Sequence, residues 1–248
     1  MSNLGVTFTK LNFTLWDKLL RQYVDSQGRV NYLAWKAESS QVFNEWLADI
    51  EQLDIRSISH PDEKLALWIN LYNAFTIASI LERYPLPSIQ PKIFGFPNWI
   101  AFLWFFSRPA YKIGDRYYSL SQIEHKILRR EFDEPRIHFA LVCASIGCPL
   151  LRNGAYWPES VRTQLEEDAD RFINNPGKVR YDSQAETLYC SQIFKWYQRD
   201  FLKIAPSVLD YICSYLKTDV PIKSHTAIAY LNYDWGLNQQ PISKPPVQ

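Results

Sequence analysis

The chain has 248 residues, of which 47% are apolar and 21% charged, the balance of a soluble globular protein long enough to bury a sizeable core. Twenty-seven Lys and Arg stand against 26 Asp and Glu, a formal net charge of +1. That balance excludes both a general electrostatic grip on nucleic acid and the highly charged composition of a disordered chain.

The opening MSNLGVTFTKLNF has no basic start followed by an apolar run and a small-residue cleavage site, and Ser2 excludes N-myristoylation. A cytoplasmic location is the expectation. Helical spacing predicts helices over residues 13–23, with Leu15, Trp16, Leu19, Leu20 and Tyr23 on one face, and over residues 38–53. A turn at Gln27 and Gly28 follows the first. Pro61, followed by Asp62 and Glu63, suits a helix start. The helix it opens runs to about Arg83 and stops before Pro85. Residues 65–81 are apolar on nearly every side, so this helix, at about 61–83, is read as the centre of the core.

The most apolar stretch, Ile93 to Phe106, is interrupted by Gly95, Pro97 and Asn98 and is too short for a bilayer, which needs about 20 apolar residues. It reads as a core segment or a lid, and no transmembrane segment is expected. Tyr111 to Leu120 reads as a hairpin turning at Gly114 and Asp115. Residues 121–130 read as a helix. Arg136 to Ala144, a nearly continuous apolar run, reads as a strand buried on both faces. Further helices are expected over 159–173, 192–202 and 206–216. Residues 179–181 and 187–190 suit a second hairpin, and 227–233 a late strand. The fold class is α+β: mostly helical, with a small, largely antiparallel sheet packed on the central buried helix. With no linker and no repeat, residues 1–248 read as a single domain. The Pro-rich residues 239–248 read as a loose tail.

Four cysteines (Cys143, Cys148, Cys190, Cys213) in a chain of this length do not make a disulfide scaffold, and a reduced state is the default. The C-x4-C spacing of Cys143 and Cys148 has no companion pair, so no zinc site is expected. Phosphate-loop, dinucleotide, serine-hydrolase and zinc-protease motifs are all missing from the sequence, so no cofactor is expected.

The remaining candidates for chemistry are few. Cys148, between Gly147 and Pro149, stands where a strand ends. It is placed to cap a short helical turn through Leu151, a position that stabilises a thiolate. Cys143 reads as a small buried hydrophobe. A cysteine nucleophile needs a base and an orienting group. His138 and His125 are the candidate bases, and Glu124 the candidate orienting carboxylate, better aimed at His138 than at its own neighbour. Backbone N–H groups at 149–151 are candidates for an oxyanion hole. Asn70 and Asn73 share a face of the central helix. They either bind the backbone of a neighbouring loop or hold a histidine or a substrate amide. Arg129, Arg130 and Arg136 surround Asp133 and Glu134; Arg129 and Arg136 are candidates to hold a substrate carboxylate. Asp200 and Asp234, in aromatic segments, read as core acceptors for Trp or Tyr.

Five blocks appear in order: LWINLYNAFTI (67–77), IEHKILR (123–129), PRIHFALVCASIGCPLL (135–151), FKWYQRDF (194–201) and YLNYDWGLN (230–238). Together with LLRQYVDSQGRVNY (19–32), they resemble the domain of unknown function 547 family over nearly the whole chain. The resemblance implies a loose kinship with papain-like and transglutaminase-like cysteine enzymes, in which a core helix packs on an antiparallel sheet bearing a histidine. Through fusions to glutaredoxin-type domains it also implies thiol chemistry or a glutathione-like ligand. The chain departs from those enzymes in one respect: their nucleophilic cysteine opens the central helix, where this chain has Asn70 and Asn73. The leading expectation is a cysteine-dependent hydrolase or transferase acting on a peptide, amide or glutathione-type substrate. The competing one is an inactive binding domain for a peptide or small thiol in an aromatic groove, and a third is membrane contact through residues 93–106.

Overall fold

A computed structural model describes residues 12–93 and 96–241. The architecture follows from one long helix, Pro61–Arg83. Pro61 takes its first turn, and His60 caps it by accepting from the Asp62 N–H. By length and hydropathy this helix could cross a bilayer, yet it is buried inside the fold and acts as its central post. Three helices (Thr14–Tyr23, Tyr32–Glu38 and Ser40–Ile50) cover one side of it. Trp16, fully buried, stacks on Trp46 and Phe43 with centroids 5.9 Å from each. Fully burying one such ring stabilises the fold by about 1.5–3 kcal/mol.

The short helix Trp99–Ser107 lies beyond the central helix, with Ile100, Leu103 and Trp104 exposed. The hairpin of Tyr111–Ile113 and Arg116–Tyr118 turns at Gly114, whose φ of +60° suits glycine. Residues 120–131 are helical, as expected, but Ile123–Leu128 takes the wider π geometry. Helix Val161–Ile173 precedes a three-stranded sheet of Val179–Asp182, Thr187–Cys190 and Ala227–Tyr230. Its first pair is antiparallel and its second parallel. Together these elements make an α+β fold.

Three expectations change. Arg136 to Ala144 is not a strand: Pro135–Phe139 is a 3-10 helix, and irregular backbone follows. The cause is Asn73, whose amide donates to Ala140 O at 3.0 Å and accepts from Val142 N at 3.0 Å. The backbone groups that a strand would offer to a neighbour are already satisfied by a side chain. The helix expected over 192–202 breaks at Tyr197 into Gln192–Trp196 and Gln198–Phe201. The start of the expected tail is fixed: Gln239 bridges Val30, and the Gln240 side chain donates to Tyr23 O and Arg29 O. The rest of that tail, residues 242–248, lies outside the described residues, as do residues 1–11 and, in the apolar stretch, Phe94 and Gly95.

Candidate functional site

A cavity of about 470 Å³ opens between the helix 99–107, the π-helical turn, the loop 140–149 and the aromatic C-terminal blocks. His138, Cys143 and Cys148 line it, with Glu124, His125 and Arg129 on another wall. Phe102, Trp196, Tyr197, Tyr233 and Trp235 supply much of the rest.

The cysteine loop is held by the chain's return. Ile146 N–H donates to Gly236 O and Gly147 N–H to Asp234 O, at 2.8 and 2.7 Å. Ser145 bridges Leu237, and Ala144 takes a positive φ of 65°. Gly147 is required by close approach, since a Cβ there would come within 2.8 Å of the Tyr233 ring. No helical turn follows Cys148, so the expected helix N-terminus is absent from it. The backbone at Leu150 and Leu151, expected as an oxyanion hole, packs instead against Gly28, where an added Cβ would stand 2.6 Å from Leu151 N.

Cys143 and Cys148 are joined by a disulfide, with Cα atoms 6.3 Å apart, within the ordinary range. This corrects the expectation of four free thiols and of Cys143 as a mere hydrophobe. While bridged, Cys148 has no thiolate. Its sulfur is nevertheless surrounded by donors: the Cys143 N–H and the Tyr233 hydroxyl at 3.1 Å and the Ser145 hydroxyl at 3.4 Å. Such donors stabilise a sulfur anion once the bridge is opened.

His138 is buried and stacked on Tyr197, with ring centroids 3.7 Å apart. Its Nε2 lies 2.8 Å from Asp200 Oδ2. The Arg129 Nε–H donates to the same oxygen at 2.6 Å. The carboxylate hydrogen-bonded to His138 is Asp200 rather than Glu124, and Asp200 accepts from His and Arg rather than from Trp or Tyr. Burial raises the Asp200 carboxyl, but the hydrogen bonds from His138 and Arg129 outweigh it and hold the group well below the ordinary carboxylate range. Burial lowers the His138 imidazole, against the opposing hydrogen bond to Asp200.

The pH consequence has a definite sign. The folded state binds the His138 proton less readily than the unfolded chain does. The stability this contributes is complete above the ordinary histidine value of about 6.5 and is lost as pH falls through the lower folded value. Thermal melts from pH 8 down to 5 should therefore show a midpoint that declines below about 6.5, and His138→Gln should flatten that decline.

The other candidates are placed as follows. Asn70 accepts from Trp16 Nε1 and Tyr156 N and donates to Tyr156 O. Asn73 is committed to the loop backbone. Both clamp loops, and neither lines the cavity. Arg136 forms a bidentate pair with Glu134 and reaches Glu166, also away from the cavity. Its guanidinium is thereby occupied and does not serve a substrate in the cavity. His125 is half exposed, with Nδ1 3.0 Å from Arg129 Nη1. Glu124 is buried and accepts from the Tyr72 hydroxyl at 3.4 Å. Asp234 receives the Gly236 N–H. Sequence reasoning missed Asp200, Tyr197, Tyr233 and Ser145 as members of the site. For Asp200, Tyr197 and Tyr233 the only signal was the aromatic character of their blocks.

Residues 55–173 match the family model described as "Protein of unknown function, DUF547". The match takes in the central helix, the π-helical turn and the cysteine loop. It stops short of Asp200 and Tyr233. Neither the curated proteins nor the solved structures contain a match to this chain.

Proposed function

We propose that this protein is a cysteine-dependent acyl transferase or hydrolase whose nucleophile is Cys148, released by reduction of its bridge to Cys143. The observation that carries the reading is that His138, held by Asp200, which Arg129 also engages, lines the same cavity as Cys148. An external dithiol supplies two electrons and two protons and leaves two thiols. His138 takes the Cys148 proton, and the sulfur attacks a carbonyl carbon of a peptide, amide or glutathione-type substrate. The leaving group collects the proton from His138. Water or a second nucleophile then frees the acyl group. Asp200 keeps the imidazole in the tautomer and orientation this needs. A reducing, cytoplasmic setting suits the chemistry.

The bridge itself favours a second reading. A protein that keeps Cys148 oxidised is a binding domain with an aromatic groove for a peptide or small thiol. The two are separated by iodoacetamide labelling before and after dithiothreitol, read by mass spectrometry, with exposed Cys213 as internal reference. The enzyme reading expects Cys148 in the reduced protein to label at neutral pH at least as fast as Cys213, and His138→Ala to slow it. It also expects turnover of a peptide, thioester or glutathione conjugate that Cys148→Ser abolishes. Slow labelling indifferent to His138, with no turnover, would leave the binding domain.

A further inference from the structure

We infer that the cavity binds its ligand through a cationic amine flanked by apolar surface, with Glu124 as the carboxylate that receives it. This deepens the proposed chemistry by naming a substrate class. It rests on that reading only in taking this cavity as the working site.

Glu124 is 8% exposed and lines the cavity. Its Oε2 accepts from the Tyr72 hydroxyl, whereas its Oε1, although buried, has no hydrogen-bond partner among the described residues. The polar groups beside the carboxylate are the Tyr197 hydroxyl and His125 Nδ1, the latter 3.7 Å from Oε1. That nitrogen does not donate to Glu124. Arg129 Nη1 lies 3.0 Å from it, and a guanidinium only donates, so Nδ1 accepts. Two acceptors face one another across a gap too long for a hydrogen bond and in need of a donor between them.

Charge points the same way. Arg129 is the only Lys or Arg among the described residues lining the cavity. Its nearest anion is Asp200 at 2.6 Å, and Glu124 has no Lys or Arg within salt-bridge distance among the described residues. A buried carboxylate with one oxygen left unsatisfied is costly, and a ligand cation relieves the cost. An ammonium brings three N–H donors. The surrounding rings of Trp196, Trp235 and Phe102 offer both cation–π attraction and apolar contact for the carbon skeleton beside it. An anionic ligand would face Glu124 and find the Arg129 Nε and Nη1 groups already engaged.

The test uses three probes of one shape: phenethylammonium, 2-phenylethanol and phenylacetate. Each is titrated against the full chain, with intrinsic tryptophan fluorescence as readout, since Trp196 and Trp235 line the cavity. The ammonium should bind about tenfold or more tighter than the alcohol, the range expected for a hydrogen bond to a charged group, and phenylacetate weakest. Glu124→Gln should bring ammonium and alcohol to similar affinity. Equal binding of all three, a preference for the carboxylate, or no binding of any overturns the inference. The comparison on the wild-type protein stands even if Glu124→Gln does not fold. Repeating it in Cys148→Ser removes any chemistry, so a failure of the nucleophile and a failure of the ammonium site give different results.

Discussion

An Asp200→Ala protein is expected to lose about 3 kcal/mol of stability, read as a shift in the midpoint of urea unfolding. Removing one member of a buried charged cluster leaves the others desolvated and unpaired, which costs roughly 3–5 kcal/mol. Here the lower end applies, because the Arg129 side chain is 25% exposed and regains water when its partner goes. His138, with a side chain 1% exposed, does not regain water. It is left with one ring nitrogen in an apolar stack against Tyr197 and Phe201. Asp200→Asn separates stability from chemistry. It keeps the shape and one acceptor and so should recover part of the lost stability. It removes the negative charge that helps hold a proton on His138, so the imidazole should titrate still lower than in the wild type. If Cys148 works with His138, labelling of the reduced thiol should slow markedly in Asp200→Asn although the protein remains folded. A stable Asp200→Ala protein with unchanged labelling would remove Asp200 from both roles.

The parts of this molecule that are legible in the sequence are those set by local rules. The central helix begins and ends at Pro61 and Arg83 because proline fits only its first turn and Pro85 forbids its continuation. The hairpin at Gly114 declares itself through a residue that accepts positive φ. Residues 136–144 show the opposite case. Their apolar run fits a buried strand, but an asparagine 67 residues upstream takes the backbone groups on which a strand depends. The site divides along the same line. Glu124, His125 and Arg129 converge because the π-helical turn 123–128 carries the first two and Arg129 follows it directly, and their spacing is visible. The pairing of His138 with Asp200, across 62 residues, has no local signature. Nor has the closure of the cysteine loop by Tyr233 and the backbone of Asp234 and Gly236. The two asparagines were visible as anomalies in an apolar helix. Which polar groups they satisfy depends on how the loops return, and that is a property of the whole fold.

Asn73→Ala tests that dependence most directly and is expected to cost about 3–4 kcal/mol. The substitution suits a helix, so nothing is lost in backbone propensity. What is lost is two hydrogen bonds, and both orphaned partners, Ala140 O and Val142 N, belong to buried residues. Each unsatisfied group carries a penalty of about 1–3 kcal/mol. Water can offset little of it, because Asn73 is 3% exposed and the small space vacated lies among apolar neighbours. The loop it anchors runs straight into Cys143, whose N–H donates to Cys148 Sγ. A purely global loss of stability would leave cysteine labelling in the native state unchanged well below the melting temperature. A loop released locally would expose Cys143 and Cys148 to reductant while the rest of the molecule stays folded. Asn73→Ala should therefore show faster reduction of the Cys143–Cys148 bond, with buried Cys190 still protected from alkylation. The same experiment on Asn70→Ala is the control: Asn70 clamps Tyr156 and Trp16 rather than the cysteine loop, so its loss should lower stability without speeding reduction. Equal reduction rates in the two variants would mean that Asn73 contributes only bulk stability and that the cysteine loop is held by the C-terminal segment alone.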